Sequence, residues 1–191
     1  MRNPSRYIVA ICLAMMVVPA LGAGTASAAA EPGGVVASFK GKKINLSRGW
    51  GDAKLCVEVS ASDVRCYTND AEREADLGPS PEADQDAVSA QAITDCPVSW
   101  VCLWEHANYS TTGRRLQFSS AGTKDLAAYD FRDKASSVAN RRAQFGATLI
   151  DVRSAQPDPN FLVCAGCAYN LPNHSYIYGG TWNDRVDKMT I

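Results

Sequence analysis

The stretch FRDKASSV, residues 131–138, sets an aromatic residue ahead of charge, then two small hydroxyls, then an apolar residue, and WNDRVDKM, residues 182–189, repeats that order. Aligned on the aromatics, Phe131 matches Trp182, Asp133 matches Asp184, Lys134 matches Arg185, Ala135 matches Val186 and Val138 matches Met189. Upstream, LWE from 103 and LID from 149 precede the two stretches at comparable distances. One supersecondary unit written twice predicts two Greek keys packed face to face, with both aromatics in a shared core.

The surrounding chain agrees with that reading. Short β-type runs (WVCLWEH, RRLQFSS, KASSVAN, ATLIDVR, NFLVCAG, SYIYGG, DKMTI) alternate with Gly, Asn, Asp and Pro, and sustained helical periodicity is absent. The spacing predicts roughly eight strands in two packed sheets over residues 94–191. Upstream, KLCVEVSASDVRCYT at 54–68 reads as a hairpin in which Cys56 and Cys66 could face each other. NDAEREADLG at 69–78 reads as a short helix, capped by Asn69 with Glu72 returning the capping-box bond, and stopped by Gly78. Residues 31–77 thus form a small hairpin-helix segment beside the β domain. Residues 78–93, rich in Pro, small residues and acids, read as a linker unable to bury enough apolar surface to offset its ordering entropy.

Residues 1–30 carry Arg2, Arg6, an apolar run and Ala26-Ser27-Ala28, the pattern of a secretory signal peptide with its cleavage site. A secreted, extracellular protein is expected. Without Arg2 and Arg6 the chain has 17 basic against 20 acidic residues, a net charge of −3 that offers nothing to nucleic acid or an anionic membrane. The clusters KGKK at 40 and RR at 141 read as solvated surface. Setting Cys12 aside with the signal leaves Cys56, Cys66, Cys96, Cys102, Cys164 and Cys167, an even set that in an exported chain reads as disulfides. Spacing groups them as three local pairs, but six cysteines allow fifteen connectivities.

CPVSWVCLWEHANYSTTGRRLQF at 96–118 with LAAYDFRDKASSV at 126–138 resembles the secreted actinobacterial members of the βγ-crystallin superfamily, above all the metalloproteinase-inhibitor family. The likeness covers about 94–191, strongest in its first half. Ser99 stands where that family has glycine, and Trp104 to Gly113 is two residues longer than the usual crystallin hairpin. The resemblance implies an all-β, two-Greek-key βγ-crystallin-like sandwich. It also implies a monomeric peptidase inhibitor whose partner is a secreted peptidase, with metalloproteinases the expected class. The reactive bond is implied directly after the first cysteine of the second cysteine loop, which places the inhibitory loop at Cys164, Ala165, Gly166 and Cys167. That loop is shorter than the family's, and Ala165 forgoes a Val- or Leu-sized contact worth about 1–3 kcal/mol in an apolar pocket.

The resemblance also raises a calcium-binding or structural module, with a toxin-like interaction protein as a third role. Paired crystallin motifs bind calcium through side-chain and backbone oxygens; here Asp133, Ser136, Asp184 and Asp187 would be the side-chain ligands. Arg132 and Lys188 stand near both sites, so affinity of only about 10⁻⁴ to 10⁻³ M is expected, and no cofactor is required. The alternative is that these residues cap turns and satisfy backbone groups. Enzymatic chemistry is not expected: the chain has only His106 and His174 and no hydrolase or phosphate-binding motif.

Overall fold

The computed structural model describes residues 33–79, 93 and 95–191. The expected signal peptide and most of the expected linker lie outside the described residues. The described residues lie in one compact unit. The strands are β1 Val36–Phe39, β2 Lys42–Asn45, β3 Leu55–Ser60, β4 Asp63–Tyr67, β5 Val101–Trp104, β6 Arg115–Phe118, β7 Thr123–Asp125, β8 Ser137–Asn140, β9 Ala147–Ile150, β10 Asn160–Val163, β11 Ala168–Asn170 and β12 Lys188–Thr190, with one helix, α1, at Asp70–Leu77. They form an eight-stranded sheet, β11-β8-β5-β6-β3-β4-β1-β2, and a four-stranded sheet, β10-β9-β12-β7. The protein is an all-β sandwich.

The duplication is visible in the hydrogen bonds. The first half runs β5 to β8 and the second β9 to β12. Each lends its third strand to the other's sheet: β7 pairs with β12, and β11 pairs with β8. Val138 lies opposite Leu103, and Met189 opposite Leu149, so the aligned residues occupy equivalent rungs. The amide of Asp133 donates to the Val186 carbonyl and the amide of Asp184 to the Ala135 carbonyl, each at 3.0 Å. Leu126 donates to Asp187 and Leu171 to Ser136, each at 2.9 Å. Asp133 and Asp184 both hold a left-handed backbone, at φ 55° and 53°, a conformation that Asp tolerates better than most residues. Phe131 and Trp182 are buried in one apolar cluster with Leu103, Val138, Leu149 and Met189.

Two of the eight C-terminal strands, β7 and β11, are not among the runs read from sequence, and SYIYGG is not a strand. There, Gly179 and Gly180 have φ of 96° and 78°; Gly179 donates to the Tyr176 carbonyl and Tyr176 to that of Gly180, which curls the segment into a loop.

The N-terminal residues are built into the large sheet. β3 runs parallel to β6, with Leu55 opposite Arg115 and Glu58 opposite Phe118. Trp50 stacks on Phe131, centroids 6.0 Å apart, and its indole N–H donates to the Tyr129 carbonyl at 2.6 Å. Buried Glu58 accepts from the Tyr129 hydroxyl at 2.5 Å and from Lys124 Nζ and Ser120 Oγ. Arg115 reaches both carboxylate oxygens of Asp70, each at 2.8 Å, and pairs with Asp95. The segment read as standing beside the β domain therefore supplies core apolar groups and ion partners to its first half. Cys56 and Cys66 face each other on β3 and β4 and are bonded. At α1, Asn69 accepts from the Glu72 amide as expected, but the Glu72 carboxylate reaches one residue further back, to the Thr68 amide at 2.7 Å.

Candidate functional site

Residues 164–167 form the turn at which the chain leaves β10 in the small sheet for β11 in the large one. The Cys164–Cys167 disulfide closes it, as does a bond from the Cys167 amide to the Cys164 carbonyl at 3.1 Å. Gly166 takes φ 72°, the conformation required at the third position of such a turn and one that glycine adopts without strain.

The turn is tied to the connection between β8 and β9, residues 141–146. The Gly166 amide donates to the Arg142 carbonyl at 3.1 Å, and the Asn140 amide to the Cys167 carbonyl at 2.8 Å. The side chain of Asn140, wholly buried, donates to the carbonyls of Phe145 at 2.8 Å and Val163 at 3.2 Å and accepts from the Arg142 amide at 3.1 Å. One amide group thus fixes both loops. On the other side, the Ser99 amide donates to the Arg141 carbonyl at 3.0 Å, Arg141 donates to that of Trp100 at 2.8 Å, and the Arg141 guanidinium reaches the Cys96 carbonyl. Cys96 and Cys102 are bonded. Arg141 and Arg142 therefore lie between two disulfide-closed loops. Arg141 is half-buried rather than the solvated surface residue read from sequence, and burial pulls its pKa down. Ser99 itself sits at φ 71°, which explains why the resembled family keeps glycine there.

The first-half hairpin end is a charge clamp. Arg114 forms ion pairs with Glu105 at 2.8 Å and Asp130 at 3.0 Å, and Asp130 also pairs with Lys134. Burial opposes ionisation of Glu105, but the bonds from Arg114 outweigh it and hold the carboxyl below its usual range. Burial likewise opposes ionisation of Asp130 and is outweighed by Lys134 and Arg114. Gly113 is needed here for space, since a Cβ would come within 2.7 Å of the His106 ring.

The residues considered for calcium are brought partly together. Ser136 Oγ donates to the Asp184 carboxylate at 3.1 Å, while Asp187 pairs with Arg132 and accepts from the Val152 amide. Among the described residues, no group of three or more His, Cys, Asp or Glu is placed to hold a metal ion.

Residues 89–149 match peptidase inhibitor family I36. This stretch is similar to that inhibitor family. The I36 match implies a non-enzymatic protein that binds a peptidase. It takes in β5 to β8 and most of β9, and with them the first disulfide loop, Asn140 and residues 141–146; the 164–167 turn follows it in sequence and is held by it in space. None of the curated proteins matches the chain. Sequence reading passed over Asn140, Phe145 and Leu162. An aromatic residue directly before Gly146 in a loop was the one signal available, because nothing local announces the three contacts of Asn140.

Proposed function

We propose that the protein is an exported, monomeric inhibitor of metalloproteinases that offers the 164–167 turn to the enzyme's cleft, with the Cys164–Ala165 bond over the catalytic centre. The I36 match supports inhibition of a peptidase. The observation that carries the choice of turn is its immobilisation from outside: Gly166 is bonded to Arg142, and Asn140 holds the chain at Cys167 and at Val163. A turn already ordered loses little conformational entropy when an enzyme closes on it. Titration of the oxidised protein against secreted metallo- and serine peptidases tests this reading. Stoichiometric inhibition of a metalloproteinase supports it, and the absence of inhibition at micromolar excess sinks it.

A second proposal is weak calcium binding at Asp133, Ser136, Asp184 and Asp187. It is favoured by the Asp133 carboxyl, which burial and then the neighbouring Asp187 charge push up, so a nearby cation would relieve it. Millimolar calcium should then raise the melting temperature; no heat in calorimetry and no rise would dispose of it.

A further inference from the structure

The 164–167 turn offers a peptidase only one small side chain, yet large apolar groups stand beside it in solvent. Phe145 is 62 % exposed and Leu162 66 % exposed. Phe145 lies in the β8–β9 connection and Leu162 on β10, but the Asn140 side chain binds the Phe145 and Val163 carbonyls together, and Leu162 lies over Gly146, where an added Cβ would meet its Cδ1 at 3.3 Å.

Strand β10 adds a second, independent observation. It is an edge strand, paired with β9 alone. The Asp151 amide donates to the Pro159 carbonyl, and antiparallel rungs alternate, so Phe161 and Val163 face β9 while Asn160 and Leu162 turn their amides and carbonyls outward. Those groups can receive an extended chain. At the equivalent place in the first half, on β6, the chain has Gln117, which is wholly buried. Charge completes the surface. The Arg142 guanidinium rests 5.4 Å from the Phe145 ring centroid and has no carboxylate partner among the described residues.

We infer that the inhibitory surface is larger than the turn. Phe145 and Leu162 are its apolar anchors, the outward backbone of β10 pairs with extended chain of the enzyme, and Arg142 meets an acidic rim. The partner that fits is a peptidase with an apolar substrate pocket bordered by carboxylates. This inference rests on the inhibitor reading. It moves the apolar contact from the disulfide turn to the side chains beside it, which accounts for a turn that carries nothing larger than Ala165.

The test is the inhibition constant of the intact, oxidised protein against thermolysin, with Phe145→Asp, Leu162→Asp, Arg142→Glu and the control Val36→Asp. Val36 is exposed but lies at the far end of the large sheet. Phe145→Asp and Leu162→Asp should each weaken inhibition by about 30-fold or more, as interface anchors do. Arg142→Glu should weaken it by about 10-fold and flatten its salt dependence, and Val36→Asp should leave it unchanged. All four sites are on the surface, so melting temperatures should stay within a few degrees of the parent. If Phe145→Asp and Leu162→Asp stay within about threefold of the parent while Ala165→Lys abolishes inhibition, the turn alone is the contact; the anchors are refuted and the inhibitor reading stands. A parent protein silent against thermolysin and the wider peptidase panel overturns both.

Discussion

Strands β6 and β10 hold the same place in the two halves, yet one is walled in and the other left open. β6 has β3 along its outer side, is buried throughout, and ends the first half inside an eight-stranded sheet. β10 has solvent along its outer side and leads into the 164–167 turn. The same Greek key therefore does two jobs. The N-terminal segment converts one copy into a stable base, and the other keeps an accessible strand edge. Exposed edges invite unwanted pairing, and this one is kept open beside a rigid turn.

The largest effect should come from stripping the wall off the first half. Glu58→Ala leaves Lys124 buried without its carboxylate, a loss of about 3–5 kcal/mol. At this chain size that lowers the melting temperature by on the order of 10 °C. A drop under 2 °C in thermal unfolding would mean that the N-terminal strands lie against the first half without stabilising it.

Next in size is the joint between the halves. Asn140→Ala removes the side chain that satisfies the buried Val163 carbonyl, the half-buried Phe145 carbonyl and the Arg142 amide, at a cost of about 1–3 kcal/mol. Hydrogen exchange should quicken at Gly166 and Cys167 before it does in β5 and β6. Uniform quickening would show that Asn140 serves global stability only.

Acid should separate the copies further. Glu105 and Asp130 of the first-half clamp both have folded pKa values below their ordinary ones. Their contribution is complete above the unfolded carboxylate range, near pH 5, and is lost as pH falls through the depressed folded values. Glu105→Gln should flatten the fall in melting temperature between about pH 5 and pH 2; an unchanged slope would take the clamp out of the acid response. The counterpart in the second half, Asp151, pairs with Arg153 at 3.3 Å and also accepts from Tyr176, whose hydroxyl is pushed up to about 12 by burial and then by that bond. The tyrosine's contribution is complete below its ordinary value near pH 10 and is lost as pH rises through about 12.

The smallest effect concerns Ser99. Replacing it with glycine relieves a left-handed backbone, partly offset by the greater freedom of the unfolded chain. The net gain should be at most about 1 kcal/mol, seen as a rise of a few degrees in the melting temperature. A decrease would show that the serine side chain contributes to the Cys96–Cys102 loop.

The parts of this architecture legible in sequence are those encoded locally. The pairing of Phe131 with Trp182 foretold two equivalent units, and the cysteine spacings pointed to the three local bridges. Asn69 marked the helix start. The exchanged strands β7 and β11 escaped notice because each has three residues and pairs with a strand far along the chain, so no alternation has room to show. The union of β3 with β6 was hidden for a similar reason: a parallel partner leaves no turn between the strands to read. Nothing local announces Trp50 or Glu58 as core residues, because their partners Phe131, Tyr129 and Lys124 lie more than sixty residues away. At the candidate site the stapled turn was visible, but its breadth depends on Asn140, whose side chain joins the adjacent 141–146 connection to distant Val163.

The exchange of third strands has one more consequence. A peptidase that severed the bond after Cys164 would gain no loose end, because the disulfide still joins the new termini, β10 stays paired with β9, and β11 stays hydrogen-bonded to β8. Nothing diffuses away, so the cut pieces remain in register for resealing. The enzyme would be left holding a product it cannot release.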